Sequence, residues 1–270
     1  MATSTTSVLN RFLEPMKALF FVLAAFITAA QVQPADIYIV AGQSNGWRLS
    51  NLSALPGKGE HTIHYFGMGC TTRPDTAKHT FIENVNPKSS GGGLASALVQ
   101  HSKRDIVFIQ YCVCGSSLND LIDWQPGEPG KPNDAGIYGS FTRYLADARR
   151  QVEALGIEWK VKALFWHQGE SDVKQTTAQH QKNLTHLLAR FRDDFGADLP
   201  IIAGHIRELD AGSKGINQAL DGLAVADPRF AVVKSNDLEF ESPTNVHIKA
   251  AGCFILGQRM VTALKAMPRP

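Results

Sequence analysis

Ile37-Tyr38-Ile39-Val40-Ala41-Gly42-Gln43-Ser44-Asn45 is an apolar run, rich in β-branched residues, that stops abruptly at a glycine, an amide and a hydroxyl. A strand without polar alternation is apolar on both faces and needs helices on both sides of its sheet. Two further runs behave in the same way. Asp105–Val113 ends at Cys114-Gly115-Ser116-Ser117, and Val161–Trp166 ends at His167-Gln168-Gly169-Glu170. Leu199–Gly204 and Phe230–Lys234 are shorter strand candidates, and His61–Phe66 alternates as a strand near an edge would.

Helical patterns separate these runs: Leu94–His101, Ser140–Leu155, Thr177–Phe195, Gly215–Ala226 and Ala250–Ala266. In the second, Phe141, Tyr144, Leu145, Ala148, Val152 and Leu155 recur at three-to-four spacing and form one apolar face. Strands alternating with amphipathic helices predict an α/β fold with a mainly parallel sheet between two helical layers. The stretch Trp124–Gly139, with three prolines and four glycines, reads as a surface loop.

The chain has 270 residues, 44% hydrophobic and 19% charged, with a formal net charge of +2. These values fit one large globular domain and, with no long Lys/Arg run, exclude a dedicated nucleic-acid binder. The N-terminus departs from this pattern. Arg11 and Lys17 precede the apolar Ala18–Ile27, and Thr28-Ala29-Ala30 follow. A basic flank, a short apolar core and a small-residue end describe a secretory signal. The run is too short for a comfortable membrane span of about 20 residues. Residues 1–35 are therefore expected to be a signal peptide, with Met16 as an alternative start, and residues 36–270 the working domain. The expected destination is secreted or periplasmic, with no stable membrane span after cleavage. Cys70, Cys112, Cys114 and Cys253 are too few for a disulfide scaffold and fit no zinc spacing. They read as small buried residues, although export permits a bridge.

In a parallel α/β sheet the C-terminal strand ends share one edge, where ligands bind. That edge would gather Ser44, Gly115 and Gln168, with Asn245-Val246-His247 supplied from near the chain's end. A serine is a poor nucleophile until a base takes its proton, and attack on an ester carbonyl creates an oxyanion that needs fixed N–H donors. Gly115 offers a backbone N–H with no side chain in the way, Gln168 a side-chain amide, and Ser44 its own N–H. Each has a plainer use as well: Ser44 as a helix cap, Gly115 as a turn glycine, His247 as a structural histidine. Their occurrence together and in this order favours the chemical reading.

Gly42-Gln43-Ser44-Asn45, Gly115-Ser116-Ser117-Leu118, Trp166-His167-Gln168-Gly169-Glu170-Ser171-Asp172 and Val246-His247-Ile248-Lys249-Ala250-Ala251-Gly252 resemble the four sequence blocks of the SGNH-hydrolase superfamily. The branch they resemble is the sialate O-acetylesterase-like one, comprising carbohydrate esterase family 6 and its relatives. The likeness runs from about Asp36 to Arg259. It implies a flavodoxin-like α/β/α sandwich with a mainly parallel five-stranded sheet. It also implies a metal-free serine acetylesterase acting on a carbohydrate, with Ser44 as nucleophile, His247 as base, and Ser44, Gly115 and Gln168 around the oxyanion.

One position departs from the family pattern, which carries Asp three residues before the histidine. Here that residue is Thr244. A missing carboxylate removes the group that orients the imidazole and stabilises its charged form. Three remedies stay open: a Ser–His dyad held by Thr244 or a backbone carbonyl, an acid from the preceding loop (Asp237, Glu239 or Glu241), or Glu170. The dyad ranks first. Trp47 and Trp124 are candidate sugar contacts. Two rival functions remain: a carbohydrate-binding pseudo-esterase that lost turnover with the aspartate, and a hydrolase of lipid or thioester acyl chains. The discriminating observations are whether Ser44 and His247 meet, and whether a long apolar groove flanks Ser44. No cofactor is expected, and the sequence leaves the particular sugar and the oligomeric state open.

Overall fold

The computed structural model describes residues 35–50, 61–72, 79–82, 92–119, 123–128 and 131–268. The proposed signal segment lies outside the described residues up to residue 34. Strand β1 (Ala35–Gly42) occupies the middle of a seven-stranded sheet. It pairs in parallel with β4 (Asp105–Cys112) on one side and β7 (Val161–His167) on the other. Beyond β4 lies β2 (Ile63–Met68), parallel, and then β3 (His79–Ile82), antiparallel at the edge. Beyond β7 come β8 (Ile201–Gly204) and β9 (Phe230–Val233), both parallel. A two-residue pair, β5 (Gly127–Glu128) and β6 (Lys131–Pro132), stands apart from the main sheet.

The full sheet carries two strands more than the five expected. Six of the seven match strand candidates read from the sequence, one more than the resemblance implies; the remaining one, the antiparallel edge strand β3, has four residues and leaves little periodicity to read. The mainly parallel sheet between helical layers is the expected architecture.

Side chains along β1 alternate between two cores. Ile37, Ile39 and Ala41 join the larger cluster, covered by α3 (Ile137–Ala154), α4 (Thr177–Phe195) and α5 (Ala211–Ala226). Tyr38 and Val40 join the other, covered by α1 (Ser44–Ser50), α2 (Gly92–Ser102) and α6 (Ala250–Ala266). Burial on both faces is why the run lacks polar alternation. Successive strands leave β1 in opposite directions, so its C-terminal end is the point where the strand order reverses. Gly42 sits there with φ +132°, a conformation open to glycine, and a Cβ at this position would drive into the carbonyl of His167. That close approach brings Gln43 N–H to the His167 carbonyl at 2.9 Å and starts α1 directly after the strand.

The glycine- and proline-rich stretch is less superficial than its composition suggests. Trp124 is fully buried and meets Trp166, Tyr111 and Phe141 at ring-centroid distances of 5.1, 6.0 and 5.7 Å. It pins the stretch to the core. Among the described residues no helix is long and apolar enough to cross a membrane.

Candidate active site

Ser44 is the first residue of α1, lifted out of the sheet by the turn at Gly42 and Gln43. From the far end of the chain, the loop between β9 and α6 returns to the same edge and sets His247 Nε2 3.1 Å from Ser44 Oγ. Several contacts hold this loop. His247 N–H donates to Asn245 Oδ1 at 2.8 Å, and Glu241 N–H donates to the His247 carbonyl at 3.0 Å. Arg207 donates to the carbonyls of Ser242 and Asn245, both at 2.6 Å, with its guanidinium 4.3 Å over the Phe240 ring. Arg48, one turn after Ser44, reaches the Ile248 carbonyl at 3.2 Å.

Gly115 forms the exposed turn after β4, at φ +76°. Among the described residues its N–H has no partner, and a Cβ there would meet nothing within 4 Å. The preceding Cys114 is bonded to Cys70 in the segment after β2, with Cα atoms 5.8 Å apart. The default reading of four small buried residues thus holds for two of them, and the bridge that export permits joins the other two. Only Cys112 and Cys253 are free and buried, and burial pushes their thiols up to about 12 and about 11.

Gln168 does not stand as an oxyanion donor. Its amide nitrogen donates to the Ser116 carbonyl at 3.2 Å and to the Asp172 carboxylate at 2.5 Å, which takes both hydrogens. Asp172 also accepts from Leu118 N–H at 3.0 Å and from Gln175 Nε2 at 2.6 Å. Loss of water pushes its carboxyl up to about 6, against the pull of those donors. His180 lies 3.8 Å away, and burial lowers it to about 4. This buried cluster ties the turn after β4 to the turn after β7. Its physical cause is plain: so many convergent donors need an acceptor, and Asp172 is the one at hand.

None of the candidate acids reaches His247. Glu170 accepts from Asn45 Nδ2 at 2.6 Å. Asp237 is held outward by Arg259 at 2.7 and 2.6 Å, and that guanidinium keeps its carboxyl at about 2. Glu241 pairs with Arg48 at 2.5 Å, and Glu239 with Lys249 at 3.1 Å. Thr244 is exposed and makes no bond to the ring, so among the described residues His247 Nδ1 has no partner. Trp124 is excluded as a sugar contact by its burial: its indole N–H donates inward to Ser116 Oγ at 2.9 Å. Trp47 is half-buried, with its indole N–H on the Met68 carbonyl at 3.2 Å. The residue that sequence reasoning left without a role is Asn45, buried beside the nucleophile. Its only signal was adjacency to Ser44.

A cavity of about 750 Å³ opens against the other side of the His247 loop, between Arg207, Phe240 and Lys249. Neither Ser44 nor His247 lines it. Among the described residues no cluster of His, Cys, Asp or Glu is placed to hold a metal ion.

A serine at the switch point of a parallel sheet, met by a histidine from the last loop, is an arrangement suited to ester hydrolysis on a three-layer α/β scaffold. The sequence model of one family, described as carbohydrate esterase, sialic acid-specific acetylesterase, matches residues 34–266. The chain belongs to that family and is a carboxylic ester hydrolase of the carbohydrate acetylesterase kind. No curated protein matches.

Solved structures agree on the fold. A protein from Arabidopsis thaliana superposes with a TM-score of 0.59 at 18% identity, covering 87% of this chain and 100% of that one. A carbohydrate acetylesterase from Xanthomonas citri gives 0.61 at 15% identity, covering 86% of this chain and 56% of that one. NanS gives 0.55 at 15% identity, covering 87% and 98%.

Proposed function

We propose that the protein removes O-acetyl groups from a carbohydrate through an acetyl-enzyme on Ser44, with His247 as general base and then general acid. The observation that carries this reading is the 3.1 Å approach of His247 Nε2 to Ser44 Oγ, within the reach a nucleophile–base pair needs.

Ser44 Oγ attacks the acetyl carbonyl carbon as its proton passes to His247 Nε2, and the carbonyl electron pair moves onto oxygen. The N–H groups of Ser44 and Gly115 are the donors we assign to that oxyanion; Gln168 holds the Gly115 turn instead. Collapse breaks the bond to the sugar oxygen, which leaves with the proton from His247. Water then attacks the acetyl-enzyme, gives a proton to His247, and releases acetate as Ser44 recovers its hydrogen.

With no acid on Nδ1, this is a Ser–His dyad. The contact of Ser44 with His247 favours an enzyme over a binding module. Export is part of the proposal. It is supported by the pattern of residues 11–30 and by the Cys70–Cys114 bond, which persists in oxidising compartments. The half-exposed Trp47 remains the candidate sugar contact.

The test is hydrolysis of p-nitrophenyl acetate, butyrate and octanoate by the protein and by Ser44→Ala and His247→Ala. Acetate turnover lost in both variants, and falling steeply with chain length, supports the proposal. Turnover rising with chain length points to lipid or thioester acyl chains. Hydrolysis that survives in Ser44→Ala removes the mechanism.

A further inference from the structure

Asn45 is 1% exposed, and its side-chain amide is bonded to three partners. Nδ2 donates to the Val246 carbonyl at 2.9 Å and to Glu170 Oε1 at 2.6 Å, while Oδ1 accepts from Ile248 N–H at 3.1 Å. Val246 and Ile248 are the two neighbours of His247. One side chain thus grips the peptide groups on both sides of the histidine.

Glu170, with its side chain 4% exposed, decides which way round the amide stands. A nitrogen faces its carboxylate and a carbonyl, and an oxygen faces an N–H; the reverse arrangement would set acceptor against acceptor. Besides the loop's own contacts of Asn245 Oδ1 and Glu241 N–H with His247, the other side chains bonded to its carbonyls are Arg48 and Arg207 at the rim, whose bonds water can replace. The Asn45 side chain and its bond from Ile248 N–H are buried, and breaking its contacts strands the amide and the Glu170 carboxylate away from solvent. Asn45 also follows Ser44 directly on α1, so the nucleophile and the grip on the base move as one body.

We propose that Asn45, oriented by Glu170, is the positioning residue that holds His247 on Ser44, a task that a carboxylate on Nδ1 would otherwise share. The proposal rests on the Ser–His reading above. It assigns no proton transfer to either residue. Fixing the loop backbone fixes where Nε2 can lie, and a misplacement of about 1 Å costs on the order of a hundredfold in rate.

The experiment is a double-mutant cycle on p-nitrophenyl acetate, with thermal melting as the control for folding. Asn45→Ala is expected to lower kcat about a hundredfold, with KM within about twofold. In a His247→Ala background the same change should lower the residual rate by less than about twofold, because the group it positions is gone. Glu170→Ala should lose more kcat than Glu170→Gln, which keeps an acceptor for Nδ2. This pair supplies the answer if Asn45→Ala does not fold.

Equal losses from Asn45→Ala with and without His247, or a loss confined to KM, overturn the proposal. So does a Glu170→Gln variant as damaged as Glu170→Ala. If His247→Ala itself keeps full turnover, the Ser–His reading fails first, which separates the two ideas.

Discussion

His247 Nε2 stands 3.1 Å from Ser44 Oγ across 203 residues of chain. Bringing such distant residues together falls to the sheet. β1 carries Ser44 out at its central switch point, and the last loop crosses the same edge before α6 returns along the face that α1 also covers. The ring, however, is gripped on one nitrogen only.

Thr244→Asp should therefore raise turnover. A carboxylate three residues before His247 would supply the missing partner for Nδ1, from a position that is exposed and makes no competing bond to the ring. The expected gain in kcat on p-nitrophenyl acetate is about tenfold. An unchanged rate means that orienting the ring is already accomplished by the backbone grip.

Much of the fold was legible because physical pattern and structure coincide over long elements. The run Ile37–Ala41 is apolar on both faces and does lie between two cores. Thr177–Phe195 and Ala250–Ala266 have the bounds their periodicity indicates. The four motif blocks were legible for the same reason: each stands where a strand or a long loop ends at the active edge. Side-chain partnerships were not. Gln168 has the right chemistry for an oxyanion donor, yet a buried carboxylate four residues away and the Ser116 carbonyl claim its hydrogens, and nothing in spacing reveals that. Trp124 looks exposed in a glycine- and proline-rich setting, while its burial depends on Trp166 and Tyr111 from distant strands.

Trp124→Ala tests that last point. Emptying a fully buried tryptophan site costs about 3–5 kcal/mol, so the variant should melt well below the parent. A loss under about 1 kcal/mol is what a surface substitution would give. It would show that the stretch is not anchored in the core.

Reduction of Cys70–Cys114 opens a loop of 44-residue separation. By chain entropy the bond is worth roughly 4 kcal/mol. Because Cys114 adjoins the Gly115 turn, dithiothreitol should lower both melting temperature and kcat, while a Cys112→Ala control leaves the dithiothreitol response in place. Unchanged melting under full reduction would contradict the assigned pairing.

Stability against pH should expose two opposing slopes. Asp172 rises from its ordinary 3.8 to about 6 on folding, so its contribution is lost as pH rises through that window. His180 falls from 6.5 to about 4, so its contribution is lost as pH falls through that window. Each is worth up to about 3 kcal/mol, and together they largely cancel. Asp172→Asn should unmask the histidine, so that denaturant midpoints drop more steeply from pH 6.5 to 4 than in the parent. A slope equal to or shallower than the parent's would mean that Asp172 is already ionised throughout.

The central claim is that Ser44, activated by His247, carries the acetyl group. Its most direct test is acid quenching during turnover of an acetyl ester, followed by peptide mapping by mass spectrometry. An acetyl adduct on the peptide containing Ser44, absent from Ser44→Ala and strongly reduced in His247→Ala, is the predicted result. Acetate release that continues in Ser44→Ala, or an adduct on another residue, would contradict it.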